Sequence, residues 1–266
     1  MRAGRVADRV LRGVGLTITT LAVLFVLAPV LLTVVLSFAN DPSITFPPES
    51  WGVDRWTDLA GSEKWRTALW LSVRLGVCSA LLAMVVSVLA LLAVHRSRLR
   101  FGGVLEQVSL ITLIVPISAY AVAMYMVFAQ YELLGTFHGL VLAHAMLSVP
   151  LVMLVGGAAL RSVPIELELV AITLGASRVR AWTGITLRLA LPALAGGFVM
   201  AFQHSFEEAV LINFIGGPGL VTLPKAIFDS VQFGSDPVIT AIAAAIVLVS
   251  SAVVAVPLAL ARGAKR

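Results

Sequence analysis

The sequence predicts an all-α membrane protein of six transmembrane helices, on the evidence of its composition, the spacing of its apolar runs and the placement of its basic residues. Of 266 residues, 59% are hydrophobic and 12% charged, with a mean hydropathy of +1.00; soluble domains carry about 25% charged residues. Apolar runs long enough to cross about 30 Å of hydrocarbon as helices cover residues 16–38, 67–94, 104–129, 139–160, 187–215 and 238–261. Fourteen of the 19 basic residues then fall on one side: Arg2, Arg5, Arg9, Arg12, Arg96, Arg98, Arg100, Arg161, Arg178, Arg180, Arg188, Arg262, Lys265 and Arg266. The other side holds Arg55, Lys64, Arg66, Arg74 and Lys225. Lys and Arg in short loops stay in the cytoplasm, so both termini of this multi-pass protein are expected there.

The first span begins near the N-terminus, but it runs about 23 residues with no small-x-small cleavage site after it, which predicts a retained anchor rather than a signal peptide. The loop that follows, residues 39–66, concentrates Asp41, Pro42, Pro47, Pro48, Glu49, Trp51, Asp54, Trp56 and Asp58, a composition that predicts a structured cap with tryptophans at headgroup depth. Cys78 is the single cysteine, so no disulfide or cysteine-based metal site forms within the chain; it is expected as a small buried residue. The segment from His95 to Arg100 reads as a basic stop signal between the second and third spans. Basic residues are dispersed among loop ends without aromatic interleaving, which argues against nucleic-acid binding.

Pro116, Pro150 and Pro192 sit inside the third, fourth and fifth spans, with Gly156, Gly157, Gly196 and Gly197 nearby. In lipid a proline frees a carbonyl that neighbours must satisfy, and glycines permit close helix contact. Such a bundle either bends in function or simply packs tightly. No linker divides the chain, so residues 1–266 are expected to form one domain.

Residues 161–186 form an unusual loop on the basic side. Ser162 to Glu166 reads as a helix start, with acids favoured by the positive end of the helix dipole. A short helix then carries Leu167, Val170, Ala171 and Leu174 on one face, and Gly175 supplies the turn that ends it before a second helix starts near Ser177. An apolar stripe on a helix too short to span needs a cover, either the bundle's own end or a partner's groove.

The loop resembles the cytoplasmic coupling loop of permease subunits from binding-protein-dependent ABC importers, whose pattern is Glu-Ala-Ala, three residues, Gly, nine residues, then Ile-x-Leu-Pro. Gly175 matches, as do Ile185, Leu187 and Ala171. Leu169 stands at the glutamate position with Glu168 beside it, Val170 at the first alanine, and Arg188 where the proline would follow Leu187. Gly175-Ala176-Ser177 and Leu191-Pro192 also resemble the family. Further along, Ser205-Phe206-Glu207-Glu208, Gly217-Pro218-Gly219, Thr222-Leu223-Pro224 and Phe233-Gly234-x-Asp236-Pro237 resemble its spermidine/putrescine branch.

The resemblance implies a MetI-like fold of six spans in a bacterial inner membrane and a transport subunit that is not itself an enzyme. It implies three kinds of partner: a second permease, two ATP-binding subunits docked on the loop from Glu168 through Leu174 to Ser177, and an extracytoplasmic substrate-binding protein. The chain lacks a GxxxxGK[ST] phosphate loop, so ATP is expected on the partners and no cofactor on this chain. Glu207 and Glu208 lie late in the fifth span, where a charge costs roughly 2.5–3.5 kcal/mol on insertion scales and therefore tends to line a wet path. That pathway, drawn with His204, Phe206 and Tyr120, suits a cationic polyamine. Only one of two consecutive helical acids needs to face the pore.

The residues leave other readings open. His204 with Glu207 and Glu208 has the spacing to hold a metal ion, or the acids mark the interface alone. Tyr120 and Tyr125 either stack on a cation or pack in the core. His138, Glu132 and His144 are explained by ordinary hydrogen bonding, and residues 223–233 read as a short outside helix. Within the importer class the alternative cargoes are ferric iron and phosphonate- or sulfate-like anions. A secondary transporter would require inverted repeats, and a membrane hydrolase a Gly-x-Ser-x-Gly or HExxH motif; the sequence has neither.

Overall fold

In lipid the backbone must satisfy its own hydrogen bonds, and a computed structural model, which describes residues 2–96, 102–234 and 236–263, is helical nearly throughout. The helices are α1 (Arg2–Leu36), α2 (Asp54–Gly61), α3 (Glu63–Arg96), α4 (Gly102–Ile111), α5 (Ile117–Gln130), α6 (Phe137–Ser162), α7 (Ile165–Thr173), α8 (Arg178–Ala181) leading through a π turn (Trp182–Thr186) into α9 (Leu187–Glu207), then α10 (Val210–Ile215), α11 (Leu223–Phe233) and α12 (Val238–Gly263). Among the described residues four stretches are long and apolar enough to cross a membrane: Leu11–Leu36, Glu63–Arg96, Phe137–Ser162 and Arg178–Glu207. The shorter apolar helices Ile117–Gln130 and Val238–Ser251 complete the six expected positions. The basic residues Arg98, Arg100, Lys265 and Arg266 lie outside the described residues.

Two spans differ from expectation. The third is not one helix: α4 ends at Ile111 and α5 starts after Pro116, which takes the N-cap position at φ −55° and ψ 130°. Proline has no N–H and pushes the residue before it out of the helical region, so the break falls where the chain has least to lose. Pro150 and Pro192, by contrast, stay inside α6 and α9. The fifth span starts earlier, at Arg178, and its helix ends at Glu207 instead of continuing to Ile215. The helix expected over residues 223–233 is α11.

The chain divides into two compact units, up to Glu63 together with the stretch from Asp229, and Lys64–Phe228. In the first unit, Arg55 is the organising group. It is 3% exposed; Nη1 donates to Leu36 O at 2.6 Å and to Thr240 Oγ1 at 3.1 Å, and Nη2 to Asp41 O at 3.0 Å and Ser43 O at 3.1 Å. One guanidinium thereby closes the C-terminal end of α1, holds the loop after it and reaches α12. Asp41 folds the loop back by accepting from Glu49 N (3.0 Å), Ser50 N (3.0 Å) and Ser50 Oγ (2.8 Å), beside an antiparallel bridge between Ala39 and Trp51. The expected cap is therefore structured, with Phe46 and Trp51 exposed on it. Residues 11–32 of α1 are exposed throughout the unit.

In the second unit α6 and α9 share the most extensive interface and pack with α3. Glycines lie in this packing. A Cβ at Gly156 would lie 2.8 Å from Leu91 Cδ1 and 3.2 Å from Leu194 Cδ2, and one at Gly157 would lie 2.5 Å from Glu106 Oε1. A side chain at either position would have to displace those side-chain ends. Toward the other end, Leu75, Phe128, Leu140, Leu147, Leu211 and Ile212 form a second core. Some buried polar groups pair across helices: His144 Nδ1 lies 3.0 Å from Ser205 Oγ, and Ser87 Oγ donates to Val149 O at 3.2 Å. Cys78 corrects the expectation of burial; it lies on an exposed face of α3, because Leu75 and Ser79 turn inward.

Truncating Arg55 strands several acceptors, so Arg55→Ala is expected to destabilise the first unit by about 1–3 kcal/mol, read as a lower melting temperature in detergent. Asp41 carries a pH dependence. Hydrogen bonding from the Ser50 hydroxyl, then from the Glu49 and Ser50 amides, and the Arg55 charge hold its carboxyl below the usual range against the upward push of burial. A depressed folded-state pKa stabilises above the unfolded value and loses that contribution as pH falls through the folded one. Exchange protection of the Glu49 and Ser50 amides is accordingly expected to hold at neutral pH and to fade below pH about 4, with Asp41→Asn abolishing the dependence.

Candidate functional site

The loop after α6 forms as the sequence suggests. Ser162 is the last residue of α6, its hydroxyl donating to Ala159 O at 2.7 Å, and of the two starts the sequence allowed, Ser162 or the nearby proline, Pro164 precedes the first turn of α7. Glu166 and Glu168 occupy that turn, near the positive end of the helix dipole. At the other end Gly175 takes φ +94°. Its N–H donates to Ile172 O at 3.0 Å and that of Ala176 to Ala171 O at 3.0 Å, the paired reverse bonds of a left-handed C-terminal cap that glycine adopts without penalty. Ser177 then caps α8, its Oγ accepting from Arg180 N at 3.3 Å.

This geometry turns the apolar stripe outward. Leu167, Val170 and Leu174 are exposed, Leu174 at 83%, and Ala171 is half-buried; Ile165 and Leu169 widen the patch. Ile185 and Leu187, in and after the π turn, are half-buried. Glu168 faces the opposite way and is 3% exposed.

Around Glu168 lies a polar cluster that sequence reasoning missed. Arg96 Nε sits 2.6 Å from Glu168 Oε1, and Arg96 Nη2 donates to Leu160 O (3.4 Å) and Val163 O (3.2 Å). The Thr186 hydroxyl donates to the same Glu168 oxygen. Beside them, Glu106 Oε1 receives Arg161 Nη1 at 2.6 Å, with His95 Nε2 3.5 Å from Oε2. His95 and Arg96, expected as part of a topological signal, thus reach Glu106 of α4 and the end of α6 respectively; residues 97–101 lie outside the described residues. The available signal was Glu106, an acid set alone within an apolar run.

At the far end of α9, the expected pathway residues separate. Glu207 is exposed, its Oε1 accepting from Gln203 Nε2 at 3.2 Å. Glu208 leaves the helix and turns onto α10, its Oε1 accepting from Val210 N at 2.5 Å and Leu211 N at 3.1 Å, which satisfies two otherwise orphaned N–H groups. His204 is half-buried with Nδ1 unpartnered, and the Phe206 ring lies 5.7 Å from that of Phe202. Tyr120 packs against the Leu75–Ile212 core, its hydroxyl donating to Ala143 O at 3.3 Å, while Tyr125 is exposed. Among the described residues no three His, Cys, Asp or Glu side chains gather as metal ligands would. Of the His204/Glu207/Glu208 set, Glu208 has its Oε1 on backbone amides rather than beside the other two.

Comparison with known proteins agrees with this architecture. Over 236 residues, 86% of this chain and 83% of the relative, it is 29% identical to the putrescine transport system permease protein PotI of Escherichia coli. It is 32% identical over 187 residues to the molybdenum transport system permease protein ModB of Mycobacterium bovis, covering 65% and 70% of the two. A solved bacterial ABC transporter involved in importing the acidic polysaccharide alginate shares the fold, with TM-score 0.75, 14% identity and 97% coverage of both chains. The family of binding-protein-dependent transport system inner membrane components matches residues 87–262, the stretch that contains the α7 loop and the α9 end, and this chain belongs to that family.

Proposed function

We propose that this chain is the permease subunit of an ATP-driven importer that carries a small cationic polyamine, delivered by an extracytoplasmic binding protein. The observation that carries the docking half is the bare apolar face of α7, framed by the Gly175 cap: a nine-residue helix with Leu174 at 83% exposure needs a groove to enter. By the positive-inside rule that loop and both termini lie in the cytoplasm. Two ATP-hydrolysing subunits supply the grooves, one for this chain and one for a second permease, and ATP stays on them. Alternating access follows: closure of the ATPase pair moves α7, and the spans tilt to open the path outward before releasing substrate inward.

The cargo rests on Glu207, whose exposed carboxylate stands at the end of α9, and on the similarity to PotI over most of the chain. The similarity to ModB supports a second reading, an oxyanion cargo in the same importer class, which a carboxylate at that position would repel. Uptake of labelled putrescine and of molybdate by the reconstituted transporter separates the two.

Proline cannot adopt φ +94°, so Gly175→Pro is expected to abolish substrate-stimulated ATP hydrolysis while the chain still inserts; normal transport by this variant would sink the docking claim. One charge-assisted contact is worth about 1.5–3 kcal/mol, so Glu207→Gln is expected to weaken putrescine uptake by roughly 10- to 100-fold. Glu208→Gln keeps an acceptor for α10 and is expected to change uptake far less. Equal effects at both positions would return Glu207 to a structural role.

A further inference from the structure

The first turn of α7 ends on a buried carboxylate that the docking reading does not use. A nine-residue helix is below the length at which helices of about 12–15 residues become marginally stable alone, and its apolar face points away from this chain. What holds it is Glu168, whose side chain is 4% exposed against 7% for Arg96. A buried ion pair carries a desolvation penalty that attraction alone seldom exceeds by much, so its geometry indicates its use. Here it is built from three places. Arg96 closes α3 and also takes Leu160 O and Val163 O at the end of α6, while Thr186 belongs to the π turn that opens α9. Single π turns recur at functional positions in helices.

We propose that Glu168, Arg96 and Thr186 are positioning residues of the coupling step: a clamp through which displacement of α7 is passed directly to α3, α6 and α9. The carboxylate is turned inward, so it is withheld from any partner, and Glu166, exposed in the same turn, is left to face one. A docking helix joined to its spans only by flexible loops would yield under load. With α3 and the turn into α9 meeting at its carboxylate and the end of α6 held on the same arginine, it moves them together. This proposal rests on the importer reading above.

The test uses the assembled transporter, this chain with its copurified subunits, in liposomes where putrescine uptake and ATP hydrolysis are measured on the same vesicles. Arg96→Ala and Glu168→Gln are expected to retain the ATP-hydrolysing subunit while uptake per ATP falls roughly tenfold, within the usual range of coupling energies. Thr186→Val removes one hydroxyl with little change of shape and is expected to lower the same ratio less, and Arg96→Lys to restore part of it. An unchanged ratio in all four variants overturns the clamp. So does a parallel loss of ATPase subunit, hydrolysis and uptake, which would mean that the pair merely folds α7. A wild-type chain that retains no ATP-hydrolysing subunit overturns the importer reading itself, and the clamp with it.

Discussion

Helix ends are the expensive parts of a membrane bundle, because each leaves backbone groups that no water in the hydrocarbon can satisfy. The structure handles this with side chains sent from distant places in the sequence. Arg96 takes the last carbonyls of α6, Glu208 the first N–H groups of α10, and Ser72 Oγ accepts the Leu223 N–H at the start of α11 at 2.8 Å. Within the first unit Arg55 does the same for the end of α1. These capping contacts fix where each helix stops, and hence which residues remain free for other work.

That constraint separates the acids. Glu168 and Glu208 are committed to internal partners, one to a buried arginine and one to backbone amides. Glu106 is shared between Arg161 and His95. Glu207, one residue from Glu208, is exposed with a single glutamine contact in its own helix. Two neighbouring carboxylates of identical chemistry thus have different roles because the helix ends between them.

Small residues have a comparable influence on packing. Gly156 and Gly157 leave room on α6 for the side chains of Leu91, Leu194 and Glu106, and Glu106 reaches Arg161 beside them. The break at Pro116, meanwhile, falls between α4, which carries Glu106, and α5, which lines the other core.

Much of this was legible in the sequence because it is local or compositional. Apolar length marked the spans, an acidic first turn and Gly175 marked α7, Ser177 marked α8, and residues 223–233 marked α11; each depends on a few neighbouring residues whose preferences act before any packing. Membership in the importer-permease family was likewise readable from the Gly175 loop and the motifs after it. The split of the third span at Pro116, the end of α9 at Glu207 and the exposed face taken by Cys78 were decided by packing, because proline, acids and cysteine are tolerated in more than one setting until neighbours choose. The partnership of Glu168 with Arg96 joins residues 72 apart, and no periodicity or spacing encodes such a contact. Only the folded bundle brings the end of α3 and the turn into α9 to one carboxylate, with the end of α6 on its arginine.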